Sequence, residues 1–165
     1  MFEGSMKYLF DTNIFIRSKN EMPEDIWPTF WMRIAELIRD GKIFTIERVK
    51  EEIERGRDEL TQWMKSNEVA GFYCPVDGDV LSKYSELQNW AKHTNRFTRV
   101  ALDEFARVAD AYLVATAAAK GWTIVTYETS APNSKRRVKI PDACNALGVS
   151  LCDLNTAFRD LGVRI

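Results

Sequence analysis

The stretch from Tyr8 to Ile16 constrains this chain more than any other. An apolar run, Tyr8-Leu9-Phe10, meets Asp11 directly and continues into Thr12-Asn13. A run that short and that rich in aromatics suits a central parallel strand, Lys7 to Phe10, covered on both faces. A short helical turn follows it. Asp11 is then the first residue past the carboxyl end of the strand, and in open parallel sheets chemistry gathers at that edge. Asp11 reads as the anchor of a metal site that other carboxylates must complete.

The rest of the pattern alternates. Helical spacing covers Asp25 to Arg39, with Phe30, Ile34, Leu37 and Ile38 on one face. Ile43 to Ile46 reads as a strand, Val49 to Gly56 and Asp58 to Met64 as helices, and Val69 to Val76 as a weak strand. Asp79 to Lys92 is helical, and Leu102 to Lys120 is the longest helical run. Trp122 to Thr126 is a second buried strand. A polar loop, Ser130 to Lys139, leads to a helical turn at Pro141 to Leu147, a strand at Val149 to Leu151 and a helix at Leu154 to Leu161. Strands alternating with helices predict an α/β fold, a three-layer α/β/α sandwich with a central parallel sheet of about five strands. At this length the whole chain, 1–165, reads as one domain. Met1 to Ser5 are set aside as an appended leader or a disordered end, because Gly4-Ser5-Met6 before a strand looks like a second start.

Composition excludes several classes. The formal net charge of −1 gives no whole-protein basic field, so nucleic acid has to be met through a local patch. Cys74, Cys144 and Cys152 are an odd, widely spaced set without a CxxC pair, which suits buried reduced thiols in a cytoplasm. No apolar run reaches transmembrane length, and no signal peptide is evident. The single histidine, His93, sits on a polar helix and reads as solvated surface. No serine–histidine or cysteine–histidine pair is present to act as a nucleophile.

The chain has 24 acidic residues, so the informative ones are those standing where an apolar residue belongs. Asp110 is the clearest, because its helical neighbours Ala106, Leu113, Val114 and Ala117 are all apolar. A carboxylate on that face is costly unless paired, hydrogen-bonded or bound to a metal. The plain alternative is a buried Asp satisfied by an Arg or a backbone cap. Glu52 borders the apolar stripe of its helix, whereas Glu47, Glu51 and Glu54 point away and suit a solvated face. Glu59 is a reserve candidate. Glu128 lies two residues beyond the Ile124–Thr126 strand, much as Asp11 lies beyond the first; a simple turn residue is the alternative. Thr126 is placed to orient a carboxylate or a water. Converging carboxylates repel unless cations are present, and hard oxygen ligands suit Mg²⁺ or Mn²⁺.

Taken in order, the strand ending in Asp11-Thr12-Asn13, the segment Val49 to Gly56 with Glu52, Ala109-Asp110-Ala111 through Ala115, and Ile124-Val125-Thr126-Tyr127-Glu128 resemble the PIN domain. The tail from Lys139 through Asp142 to Val149 is similar to one PIN-like subgroup of formerly unassigned function. The resemblance implies a metal-dependent endoribonuclease of the kind found as toxins in toxin–antitoxin modules, acting in the cytoplasm. It places Asp11, Glu52 and Asp110 on the family's three metal-binding acids. Glu128 falls where the family often has Asp, so a direct or a water-mediated contact is open. Thr12 and Asn13 become supporting neighbours. It also implies Mg²⁺ or Mn²⁺, an RNA substrate, frequent homodimers and an antitoxin partner. A catalytically degenerate PIN-like module that binds RNA or protein is the alternative. A phosphohydrolase of the haloacid dehalogenase type fits less well, since it needs a second Asp where Asn13 stands.

Ser134 to Lys139 is the densest basic run, and it leaves the same edge as Glu128. Lys135, Arg136, Arg137 and Lys139 are therefore the expected phosphate contacts. Arg96 and Arg99 near Lys92 form a smaller cluster. Trp27, Trp31, Trp63 and Trp90 could stack on bases, although core packing is the commoner use of tryptophan.

Overall fold

The computed structural model describes residues 6–165; the leader set aside above lies outside them. Five strands form a single sheet: β1 (Tyr8–Phe10), β2 (Ile43–Ile46), β3 (Tyr73–Cys74), β4 (Thr123–Val125) and β5 (Leu151–Cys152). Their order is β3-β2-β1-β4-β5, and every pairing is parallel. β1 is central, and all three of its residues are buried, as its unbroken apolar run requires.

The helices are α1 (Thr12–Glu21), α2 (Pro28–Arg39), α3 (Glu47–Arg55), α4 (Glu59–Asn67), α5 (Gly78–His93), α6 (Arg99–Phe105), α7 (Ala109–Lys120), α8 (Ile140–Leu147) and α9 (Leu154–Leu161). Parallel crossovers are right-handed. The path therefore puts α1 to α4 on one face as it steps from β1 to β3. It puts α5 to α8 on the other as it returns to β4 and β5. The contacts agree: α4 packs on α1, α2 and α3, while α7 packs on α5 and α8. α9 joins the first face, where the Phe158 and Phe30 rings lie 5.9 Å apart. One apolar cluster runs through both layers. Each fully buried Leu, Ile or Phe in it contributes on the order of 2 kcal/mol.

Two expectations need correction. The run Leu102 to Lys120 is not one helix but two, α6 and α7, separated at Ala106–Val108. No proline or glycine marks the break. Distant side chains donate to the freed carbonyls there. Tyr84 Oη donates to the Ala106 carbonyl at 2.6 Å, Gln88 Nε2 to Phe105 at 3.4 Å and Arg48 Nη1 to Arg107 at 3.0 Å. The segment after Asp11 is a full ten-residue helix rather than a short turn. α7 ends where Gly121 adopts φ +73°, a left-handed conformation that glycine takes without strain.

Candidate active site

The sheet reverses its winding between β1 and β4. Outside the carboxyl ends of those two strands lies the crevice where open α/β sheets receive ligands. Asp11 stands there because its amide still pairs with the Val125 carbonyl at 3.1 Å, which carries the ladder one residue past β1. Its side chain turns into the crevice and accepts a 2.9 Å hydrogen bond from Thr126 Oγ1. Thr126 in turn accepts from the Glu128 amide at 3.1 Å. One hydroxyl thus ties the ends of both strands together.

Glu52 reaches the same crevice from α3, where Thr12 Oγ1 donates to its Oε1 at 2.6 Å. Asp110 arrives from the first turn of α7, a position that exists only because α6 stops short. The cleft between them has a volume of about 400 Å³ and is lined by Asp11, Thr12, Asn13, Glu52, Asp110 and Arg137, among others. Asp11 is buried and Glu52 half-buried, while Asn13 is exposed at the rim.

The electrostatics show that these acids share one space. Burial is the main force pushing the Asp110 carboxyl up to about 7, and the charges of Asp11, Glu128 and Glu52 add to it; Arg137 pulls the other way. Burial likewise raises Asp11 to about 6. The Thr126 hydrogen bond opposes the rise and the Glu128 charge assists it. The amides opening α1 also oppose it.

Glu128 has a further occupation. Its Oε1 accepts from the Ile140 amide at 3.0 Å, so it caps the start of α8, and its Oε2 accepts from Arg137 Nη2 at 3.1 Å. The same guanidinium nitrogen lies 3.6 Å from Asp110 Oδ2. Arg137 was expected to meet phosphate as part of the basic run. In this structure it stands among the acids as their counterion, a role that charge counting along the chain does not reveal. Lys135 and Arg136 are exposed, and Lys139 is partly covered at the N-cap of α8. Glu59 lines a separate groove beside Trp31 and Trp63.

Sequence reasoning also missed what holds the basic loop. Asp142, buried in the first turn of α8, accepts from Ser130 Oγ at 2.8 Å and the Ala131 amide at 3.1 Å. Arg96 stands 3.7 Å from Asp142. It donates to the carbonyls of Ser134 at 2.8 Å and Ala131 at 2.5 Å. Arg96 is therefore a loop clasp rather than a free phosphate contact. Among the tryptophans, Trp31 is buried and Trp63 and Trp90 are half-buried; Trp27 is exposed. His93 lies on the surface of α5.

The donor chemistry suits a hard divalent cation: carboxylate oxygens alone, on four separate segments, with two raised pKa values. The spacing at present suits a guanidinium. Among the described residues, no three His, Cys, Asp or Glu side chains are drawn together closely enough to hold a metal ion as they stand. Arg137 occupies the place between Asp110 and Glu128.

A family model described as "Domain of unknown function (DUF4411)" matches residues 8–165. The chain belongs to that family. No curated protein matches this DUF4411 chain. Among solved structures, FitAcB from Neisseria gonorrhoeae superposes with a TM-score of 0.57 at 19% identity, over 87% of this chain and 95% of that one. FitAB bound to an IR36 DNA fragment gives a TM-score of 0.57 at 19% identity, over 88% and 94% of the two chains. At this identity the likeness speaks for the fold alone, and the fold is the PIN-like three-layer sandwich. No described helix is long and apolar enough to cross a membrane.

Proposed function

We propose that this DUF4411 protein is a divalent-metal-dependent endoribonuclease, the toxin of a toxin–antitoxin module, working in the cytoplasm on RNA. The observation that carries the reading is the convergence of Asp11, Glu52, Asp110 and Glu128, from four segments, on the switch point of the sheet. Buried carboxylates that raise one another's pKa are a mark of functional sites, and a divalent cation would offset their repulsion. Asp11, Glu52 and Asp110 would hold Mg²⁺ or Mn²⁺, with Glu128 in direct or water-mediated contact. A divalent ion at this place supplies Lewis-acid activation of water and charge neutralisation at phosphorus.

The chain's own residues do the rest. Thr126 orients the Asp11 carboxylate, and Thr12 orients Glu52, at the edge of the cleft. Arg137, once released from Asp110 and Glu128, is at hand to pair with a substrate phosphate; Lys135, Arg136 and Lys139 extend that positive edge. Asn13 at the rim offers an amide to the sugar or the phosphate. The structural likeness to FitAcB and FitAB supports an antitoxin partner, and a homodimer is part of the same proposal.

Asp11→Asn and Asp110→Asn test it in an RNA cleavage assay with Mn²⁺. Each should lose at least a hundredfold in rate, on the order of the effect of removing one charged group from a catalytic centre. Cleavage at the wild-type rate in both variants rejects the assignment.

A second reading rests on one specific feature. Arg137 already neutralises Asp110 and Glu128, which is what a degenerate PIN-like module that binds RNA or protein without cutting would retain. Calorimetric titration with Mn²⁺ separates the two readings. A nuclease takes up metal in a manner abolished by Asp11→Asn, and a degenerate module takes up none.

A further inference from the structure

We propose that the open face of α1, together with Tyr127, forms a subsite for one unpaired nucleobase of the substrate, next to the acidic cleft. The inference rests on the nuclease reading above and adds to it where base preference comes from.

A second cavity of about 360 Å³ adjoins the cleft and shares Asn13 and Ile16 with it. Its wall is built from helical spacing. Asn13, Ile16, Arg17, Asn20 and Glu21 recur at intervals of three and four, so all five lie along one face of α1. Tyr127 closes the opposite side, standing between Thr126 and Glu128 in the chain. The groove therefore starts at the rim of the acid site. It runs outward along the helix for roughly 10 Å between Asn13 and Asn20.

Its chemistry fits a flat heteroaromatic ring. The Arg17 guanidinium lies over the Tyr127 ring, 4.4 Å from its centroid, and half of its side chain remains exposed. The stack is thus partly open to solvent. Such guanidinium and aromatic planes are what unpaired bases of single-stranded RNA stack on. Ile16 gives an apolar floor. Asn13 and Asn20, both exposed, each offer an amide donor and an amide acceptor to the hydrogen-bonding edge of a base. In the free chain both acids of the groove carry ion pairs: Glu21 with Arg17 at 2.7 Å, and Glu128 with Arg137. A backbone entering from the basic loop would cross the acid cleft before its next base reached this stack. The occupant is accordingly the base flanking the scissile phosphate, and the residues that select it are Asn13 and Asn20.

The test uses the full chain and four fluorescein-labelled single-stranded RNA pentamers, one for each base, followed by anisotropy in Ca²⁺. Wild type should discriminate among them. Tyr127→Ala and Arg17→Ala should each weaken binding roughly 5- to 100-fold, as loss of one stacked base does. Tyr127→Phe should bind within about twofold of wild type, because the ring is kept. Asn20→Ala, an exposed helical position where misfolding is not an issue, should flatten the preference among the four pentamers. Unchanged affinity in Tyr127→Ala and unchanged preference in Asn20→Ala would overturn the subsite while leaving the nuclease reading intact. Absence of pentamer binding by the wild-type chain would also overturn the subsite, and the Mn²⁺ cleavage assay then decides the nuclease reading separately.

Discussion

The acidic cleft has two walls, and they are secured in different ways. The strand wall holds Asp11 and Glu52 through short hydrogen bonds between regular elements, from Thr126 and Thr12. The loop wall, 128–139, has no secondary structure of its own up to α8. It hangs on a few polar side chains of which Asp142 and Arg96 are the hub. The strand wall brings Asp11 and Glu52; the loop wall brings Glu128 and the cation, Arg137. The difference suggests a division of labour. The acids stay where the sheet places them, and the neutralising group rides on the part of the site that opens at least cost.

Asp142→Ala breaks the loop wall at its hub and should have the largest effect. It leaves Arg96 without its carboxylate and strips both the Ser130 hydroxyl and the Ala131 amide of an acceptor. Loss of one partner from such a buried network costs about 3 kcal/mol, or roughly 6–12 °C in melting temperature for a chain of this size. Thermal denaturation measures the loss, and limited proteolysis should cut within 129–139. An unchanged melting temperature would mean that the loop is held by something other than these bonds.

Asp110→Asn tests the strain carried by the acids, and its effect should be of order 2 kcal/mol. The Asp110 carboxyl titrates near 7 in the fold against 3.8 for an ordinary aspartate. A pKa raised by folding favours the folded state fully below the unfolded value. That contribution is lost as pH rises through the folded value. The metal-free wild type should therefore become less stable between about pH 4 and pH 7. The variant should melt several degrees higher than wild type at pH 7.5 and no higher at pH 4. Equal gains at both pH values would place the benefit outside the titration of this carboxyl. A substitution that stabilises the fold while removing activity is the expected mark of a site that stores cost for function.

How much of this was written in the chain can be judged from particular elements. β1, β2, β4, α2 and α9 were legible because their apolar periodicity is local and unbroken, and so was Asp11, which follows a buried strand directly. The break between α6 and α7 was not. Its causes are Tyr84, Gln88 and Arg48, which lie 17 to 59 residues away from the carbonyls they bond. Asp110 was singled out partly through Ala106 as a helical neighbour, yet Ala106 belongs to the break. The other three neighbours, Leu113, Val114 and Ala117, are buried on α7 as expected, and the first turn of that helix puts the acid beside the cleft. Arg137 was invisible as a counterion because ion pairing across 9 and 27 residues depends on where a loop folds back, which periodicity does not encode.

Thr126→Val addresses the one residue common to both walls. The change keeps the shape but removes a donor to Asp11 and an acceptor for the Glu128 amide. A loss of about 1.5 kcal/mol in stability is expected, together with weaker Mn²⁺ uptake by calorimetry. Thr126→Ser, which keeps the hydroxyl, should restore most of both. If Val and Ser behave alike, the hydroxyl does not couple the walls.

Arg137→Ala gives the smallest expected effect and the sharpest test of the division between the walls. The guanidinium is about half exposed, at 48%, so its pairs with Asp110 and Glu128 are screened and worth under about 1 kcal/mol. A divalent ion entering the cleft has to displace it, so its removal should tighten Mn²⁺ binding, by roughly two- to fivefold, since a competing internal cation is gone. Arg137→Lys keeps the charge and should bind metal as wild type does. RNA affinity should move in the opposite direction, falling in Arg137→Ala as one phosphate contact is lost and becoming less steeply dependent on salt. Tighter metal binding with weaker RNA binding in one variant fits a side chain that guards the acids at rest and turns to phosphate in the complex. If metal binding weakens instead, Arg137 supports the carboxylate geometry. It would then belong with the strand wall, and the two walls would no longer have separate tasks.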